Sequence, residues 1–408
     1  MERFGRKSGM DRNGLCFLQL LATFLNNTLP VTPRDVDWNQ VYELSKIHSL
    51  SGAVYTAVRK LPVAQRPPRE TFNRFASAFY ATVLRAEKQS ALIENILEKL
   101  NEKKIPHLLI KGAVLRAFYP VPEMRTLGDI DLMIHEEDWF RTDATLRGAG
   151  YVLKGKSDGE WKYFKNGMEI EVHSKIRNEY IGYRVGCNDC FNNMWEYAAP
   201  LNGSFTYRWE KNFQLIYLIS HTAKHLYGRG CGLRMLADIA VVLRHDGDRL
   251  RFDDVFQELE KIHLDVFARS LFALCKRCFG VPDAVPCADM PDARCDEAME
   301  YLLVGGTFGF NREITVNLVR REYGNTDRVT KACFIALWHK IFPSWKDMRI
   351  LYPRLARYAC LMPLAWMARG IRCLLFKREK TFTILEGLVH PSDEAKKAYV
   401  LLEKLGLE

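Results

Sequence analysis

Apolar residues recur at helical spacing from residue 14 to about 103, most clearly in WNQVYELSKIHSLSGAVYTAV and FNRFASAFYATVLRAEKQSALIENILEKL. This pattern predicts an all-helical entry region, interrupted at LPVAQRPPRE (61–70), whose three prolines mark a turn between helices. LCFLQLLATFL (15–25) follows a basic stretch, but NNTLP comes next without a small-residue cleavage pattern, so a buried helix is expected there and not a signal-peptide core. The texture changes at 105. HLLI (107–110) is short, apolar and ends in Lys111-Gly112, with a short helix expected through Arg116. TLGDIDLMI (126–134) alternates as a strand, EDWFRTDATLRGAG (137–150) reads as a helix closed by glycine, and YVLK (151–154) as a further strand. WKYFKNGMEIEVH holds two alternating runs joined by Asn166-Gly167, a strong hairpin signal because both turn residues tolerate positive φ. From roughly 210 the helical period returns and continues to the C-terminus, as in NFQLIYLISHTAKHL, LRMLADIAVVLRH and DVFQELEKIHLDVFARSLFALCKRC.

The succession implies an α+β fold: a small mixed-sheet core at 105–176, an N-terminal helical region at 1–104 and a C-terminal helical region at 177–408. ACLMPLAWMA (359–368) is about ten residues long between Arg357 and Arg369, well short of the roughly 20 that span a bilayer, so no membrane insertion is expected. With 48% apolar and 26% charged residues among 408, wholesale disorder is excluded. The formal charge of +10 suits a polyanionic partner such as a nucleotide, RNA or acidic lipid without choosing among them. Eleven cysteines, an odd number without regular spacing, fit reduced thiols in a cytoplasmic protein better than a disulfide framework.

The candidate chemistry lies in the acids. Gly128-Asp129-Ile130-Asp131 places two carboxylates at i and i+2 on a strand, so Asp129 and Asp131 are expected to project together while Ile130 and Leu132 turn to the core. The second hairpin strand repeats the logic, with Glu169, Glu171 and His173 on one face and Ile170 and Val172 on the other. Unit charges about 7 Å apart at an effective dielectric near 20 repel by roughly 2 kcal/mol per pair. A divalent cation removes that penalty, and hard oxygen ligands favour Mg²⁺ or Mn²⁺.

Gly-Asp-hydrophobic-Asp on a strand, followed by a third acid on a nearby strand, resembles the polymerase-beta-like nucleotidyltransferase superfamily. LLIKGAVL, YPVPEMRTLGDIDLMI, EIEVH, ISHTAKHL, LRMLADIA and IFPSWKDMRILYPRL are more specifically similar to a widespread bacterial nucleotidyltransferase family. The resemblance implies a nucleotidyltransferase core in which Asp129, Asp131 and Glu171 hold the metal, with Glu171 also helping to deprotonate an acceptor hydroxyl. It implies transfer of a nucleoside monophosphate, foremost AMP from ATP or another nucleoside triphosphate, with release of pyrophosphate. The superfamily's Gly-Ser phosphate loop is replaced by Lys111-Gly112, so Lys111, Gly112, Arg125 and Gly128 are the candidates for binding the nucleotide. His173, Lys224, His225 and Asp238 are placed behind the acids or towards the acceptor. The acceptor itself, whether small molecule, protein or RNA, stays open.

Other interpretations remain beside this one. Glu169 competes with Glu171 as third acid, and Arg125 has Glu123 or Glu160 as alternative partners. His221 and His225 lie i, i+4 on one helical face, but no third zinc ligand stands out. Cys275-x-x-Cys278 falls in an amphipathic helix where half-buried cysteine is ordinary, and Cys187-x-x-Cys190 is a second such pair. A catalytically silent nucleotide- or partner-binding protein, antitoxin-like, is the alternative from another class, and an RNA-modifying transferase is a third.

Overall fold

The computed structural model describes residues 10–31, 35–157, 159–176, 189–228, 231–305, 338–339, 341–345, 348, 358–376 and 400–407. The entry region is helical: α1 (Arg12–Asn26), α2 (Trp38–Ile47), α3 (Ser51–Val58) and the 34-residue α4 (Arg69–Glu102). Local chemistry starts and stops these helices. The Asp11 carboxylate accepts from the Asn13 N–H at the head of α1, and the Asp37 carboxylate accepts from Asn39 and Gln40 at the head of α2. Asn27 closes α1 in the left-handed region (φ 50°, ψ 40°), returning its N–H to the Phe24 carbonyl. LCFLQLLATFL is a buried helix as its pattern predicts, with Phe17, Leu18, Leu20, Leu21 and Phe24 inside.

The mixed sheet follows. β1 (His107–Leu109) leads through the short α5 (Gly112–Leu115) to β2 (Ile130–Ile134), then α6 (Trp139–Gly148), β3 (Val152–Ser157), β4 (Glu160–Lys165) and β5 (Met168–His173). Asn166 (φ 51°) and Gly167 (φ 77°) make the turn between β4 and β5. After α7 (Asp189–Asn192) the chain adds β6 (Ala198–Pro200) and β7 (Thr206–Trp209), so the sheet extends past residue 176. Its order is β3-β4-β5-β2-β1-β7-β6, with β2 parallel to β5, β1 parallel to β7, and the other neighbours antiparallel.

Helices resume with α8 (Lys211–Gly228), α9 (Leu233–Asp246), α10 (Phe252–Lys261), α11 (Asp265–Phe279), α12 (Asp292–Gly305) and, later, α13 (Met362–Phe376). The chain forms two compact units: Met1–Lys224 with Cys231–Thr307, and His225–Gly230 with Phe308–Glu408. In the second unit Trp366 on α13 donates its indole N–H to the Pro343 carbonyl (3.0 Å), and Met348, Met362 and Ala365 form a small core. Much of IFPSWKDMRILYPRL lies outside the described residues. Among the described residues no helix is long and apolar enough to cross a membrane, and eight cysteines are free thiols.

Alternation builds the core of the first unit. Ile130, Leu132 and Ile134 of β2 join Ile170 and Val172 of β5, Trp161 and Tyr163 of β4, Leu146 of α6, and Ile96 and Leu100 of α4 on one side of the sheet. The helical part is tied in by His48, fully buried at the end of α2. Its Nε2 donates to the Leu303 carbonyl of α12 (3.0 Å), its Nδ1 accepts the Leu233 N–H of α9 (3.4 Å), and its ring stacks on Phe17 (5.5 Å). Both ring nitrogens are therefore satisfied by the neutral tautomer alone.

Burial, opposed by the Leu303 carbonyl and reinforced by the Arg234 charge, lowers the His48 pKa from 6.5 to about 4. A folded pKa below the unfolded one stabilises the fold above pH 6.5, and that stabilisation is lost as pH falls towards 4. The expected loss from this residue is about 3 kcal/mol, from the size of the shift. Melting temperature followed from pH 7 downwards should fall more steeply in wild type than in His48→Gln; equal slopes would refute the assignment.

Candidate active site

The sheet register brings the acids together. Asp131 on β2 stands opposite Glu171 on parallel β5, and Met133 opposite His173. Because Ile130, Leu132, Ile170 and Val172 take the core face, Asp131, Glu171 and His173 share the other. One ligand atom from each of the three lies within 4.8 Å of the others, and among the described residues this is the one such metal-ligand group. His173 Nε2 is 3.0 Å from Asp131 Oδ1 and 3.7 Å from Glu171 Oε2. Thus His173, expected behind the acids, stands among them. Asp129 lies on a bend just before β2, half-buried and outside that group. Burial first, and then the charge of Asp131, push its carboxyl above the ordinary range.

Lys111 reaches the same oxygen as His173, its ammonium 2.5 Å from Asp131 Oδ1. Both contacts fall on Oδ1, so Oδ2 carries no hydrogen bond among the described residues. Burial works to raise the Asp131 pKa, but the Lys111 charge and the His173 hydrogen bond outweigh it and hold the carboxyl down at about 2. Burial likewise works against the Lys111 charge, and Asp131 overrides it, lifting the ammonium above its ordinary range. The backbone of Lys111 sits at φ 56°, ψ −132°, a conformation that favours glycine and costs any other residue on the order of 1–3 kcal/mol. Gly112 follows because nothing larger fits: a Cβ there would lie 2.6 Å from Leu127 Cδ2 and 2.9 Å from an Arg125 terminal nitrogen.

A second lysine stands on the other acid. Lys162 on β4 is the cross-strand neighbour of Glu171 and hydrogen-bonds its carboxylate, with Glu160 at 3.4 Å and Glu169 at 3.6 Å. Burial opposes the Lys162 charge, but the Glu171 contact prevails and raises its pKa. Glu169 is more exposed than Glu171 (40% against 12% of the side chain) and lies outside the ligand group.

The Arg125 guanidinium is committed elsewhere. It grips Asp238 of α9 with two 2.7 Å hydrogen bonds and donates to the Thr126 carbonyl at 2.5 Å, while the Tyr119 hydroxyl donates to Asp238 Oδ1 at 2.7 Å. Arg125 and Asp238 are both buried, so this fork joins the loop before β2 to α9. Asp238 is found in that grip, both of its oxygens bonded to Arg125. Gly128 has open space where a Cβ would be. On α8, Lys224 is half-buried and His225 exposed, and the His221 ring stacks on Tyr217 (5.8 Å). Neither histidine belongs to a metal-ligand group among the described residues. Cys275 and Cys278 are buried in α11 with thiols pushed up by burial, and Cys187 lies outside the described residues.

Three residues that the sequence pattern did not single out lie close to the acids. Lys162 is one. Tyr217 is buried, its pKa raised by burial against the pull of Lys111, and it feels Asp131, Asp129 and Glu171. Arg234, in the first turn of α9, donates to the Thr126 hydroxyl (3.2 Å) and carbonyl (3.4 Å) and acts on Asp129. The sole sequence signal for Arg234 is its place in LRMLADIA.

A family model described as an uncharacterised nucleotidyltransferase matches residues 34–280. The chain belongs to that family. The match takes in the whole sheet and α8 to α11, hence every residue of the site just described. This nucleotidyltransferase is therefore a transferase of phosphorus-containing groups, whose class takes a nucleoside triphosphate, generally with a divalent metal. No curated protein and no solved structure matches the chain.

The donor set suits such a metal. Two carboxylates and an imidazole converge, and the two carboxylates are hard oxygen donors of the kind that Mg²⁺ or Mn²⁺ takes, with the imidazole a softer donor beside them. The strained turn that carries Lys111 can be tested by stability. Lys111→Ala and Lys111→Gly remove the same ammonium, so their difference isolates the backbone, and chemical denaturation should find the glycine variant more stable by about 1 kcal/mol. Equal stability, or a more stable alanine variant, would show that the turn is unstrained.

Proposed function

We propose that the enzyme transfers a nucleoside monophosphate, foremost AMP from ATP, to a hydroxyl of its acceptor and releases pyrophosphate. What carries this is the convergence of Asp131, Glu171 and His173 within 4.8 Å on one sheet face in a nucleotidyltransferase. In this scheme Asp131, Glu171 and His173 hold Mg²⁺ or Mn²⁺, and Asp129 adds negative charge at the edge. A divalent ion held there would supply charge stabilisation to the transferring phosphoryl group. Glu171 accepts the proton of the acceptor hydroxyl, the oxygen attacks the α-phosphorus, and the bond to the bridging oxygen of the β-phosphate breaks. Lys111 and the backbone N–H groups at Gly112 lie beside the reacting phosphate, so positioning does most of the work. Lys224 is assigned to the acceptor side of the same scheme, and a cytoplasmic setting fits the free thiols.

One observation favours the silent, partner-binding alternative: Lys111 and Lys162 already neutralise Asp131 and Glu171 from within the chain. The two are separated by following α-labelled nucleoside triphosphates with Mg²⁺ or Mn²⁺ and cell extract. Wild type should label an acceptor, with Asp131→Asn and Glu171→Gln at least about a hundredfold slower. Nucleotide should also raise the wild-type melting temperature in a metal-dependent way that Asp131→Asn abolishes. Label transfer that survives both substitutions would remove the carboxylates from the reaction, and partner capture indifferent to them would favour the silent module.

A further inference from the structure

The cations around the acids differ in how completely their charge is answered. Lys111 is on Asp131, Lys162 on Glu171, and Arg125 on Asp238. Arg234 is different. Among the described residues it forms no ion pair, and its hydrogen bonds, both from one terminal nitrogen, go to the neutral Thr126 hydroxyl and carbonyl. The nearest carboxylate on its own helix, Asp238, is already taken by Arg125 and the Tyr119 hydroxyl. Its Nε and other terminal nitrogen have no hydrogen bond among the described residues, and the side chain is half-buried.

The electrostatics agree with that geometry. Burial, and then the like charge of Arg125, lower the Arg234 pKa to about 10 despite Asp238, Tyr119 and Asp129. A guanidinium kept in such a place without an anion is costly unless a ligand supplies one. Its location limits which ligand. Thr126, which it holds, lies two residues before Gly128-Asp129, and Asp129 feels its charge. The Gly-Ser phosphate loop of the resembled superfamily is absent, Lys111 is drawn onto Asp131, and Arg125 is locked to Asp238. A triphosphate whose α-phosphate lies at the acids leaves its two outer phosphates needing a cation that none of these provides.

We propose that Arg234, reaching in from the first turn of α9, is the binding residue for the β- and γ-phosphates of the nucleotide, its free Nε and terminal nitrogen donating to the phosphate tail. This rests on the nucleotidyl-transfer scheme above and names the part of the substrate that the helical region holds. The planar fork matters, since a guanidinium pairs with phosphate through two parallel hydrogen bonds where an ammonium offers a point charge.

The test uses the full chain with inorganic tripolyphosphate, ATP and AMP, each with Mg²⁺, and reads dissociation constants by calorimetry and ligand-induced melting shifts. Arg234→Gln should weaken tripolyphosphate and ATP by about tenfold or more, as expected for a charge-assisted pair, and leave AMP within about twofold. Arg234→Lys should recover part of the loss. Without ligand, Arg234→Gln should melt no lower than wild type, because it removes a charge that has no anion, which also shows that the variant folds. Wild-type affinity for tripolyphosphate in Arg234→Gln overturns the proposal and leaves the transferase scheme standing, as does an equal loss for AMP. A wild type that binds none of the three overturns the scheme and this proposal together.

Discussion

A carboxylate buried in the middle of a sheet is the constraint on which the site depends. Every residue of β2 is buried, and Asp131 is 4% exposed between β5 and β1. An isolated ion there costs several kcal/mol, so the surroundings must answer it. They do so unevenly. Lys111 and His173 both bond Oδ1, and Oδ2 is left without a hydrogen bond among the described residues. The register that places Asp131 opposite Glu171 then sets its carboxylate beside a second acid and an imidazole. The pairing of β2 with β5 supplies the imidazole that shares this compensation, and the turn after β1 supplies the ammonium. The strained conformation of Lys111 belongs to the same requirement, because the turn at the end of β1 is what delivers its ammonium to β2.

The helices contribute through a second buried pair. Arg125 and Asp238 are joined by two parallel hydrogen bonds, with Tyr119 on the same carboxylate. This fixes the loop between α5 and β2 against α9, and thereby fixes Asp129 and the approach to Asp131. It also packs Arg125 against Gly112, so the glycine is demanded by the fork as much as by its own turn. His48 joins the ends of α2, α9 and α12 in the same compact unit. The helical segments on both sides of the sheet therefore set the position of the acids without supplying one of them.

What could be read from the chain divides by range. The core strands, the Asn166-Gly167 turn and the glycine-closed α6 were legible because period-two alternation and positive-φ turn residues act over a few neighbours. Glu171 and His173 followed from alternation on β5. Asp129 was expected on the strand because the alternation runs on through TLGDIDLMI, but the chain bends at Gly128-Asp129 and pairing begins only at Ile130. β6 and β7, three and four residues long, were missed; Asn202-Gly203, both at positive φ, was their one local signal. Lys162 needed the β4–β5 register, and the fate of Arg125 was decided by a residue 113 positions away. No pattern within a window of the sequence contains those facts.

The two lysines at the site are not equivalent, and the difference bears on how a divalent ion would enter. Asp131 and Glu171 carry two negative charges, and Lys111 and Lys162 answer them with two positive ones, the same total that a divalent ion brings. Binding is then an exchange, whose net strength is the difference between metal coordination and two ion pairs. Lys162 has a 41% exposed side chain and can turn to water, where an ammonium is well solvated and the lost pair costs little. Lys111 is 20% exposed, on a turn that already holds it under strain, and has less freedom to leave. Glu171 is thus the acid most readily released, while Asp131 stays anchored through Oδ1. Were the three side chains to hold a divalent ion, Lys162 would give way before Lys111, which would keep one fixed cation beside the site throughout.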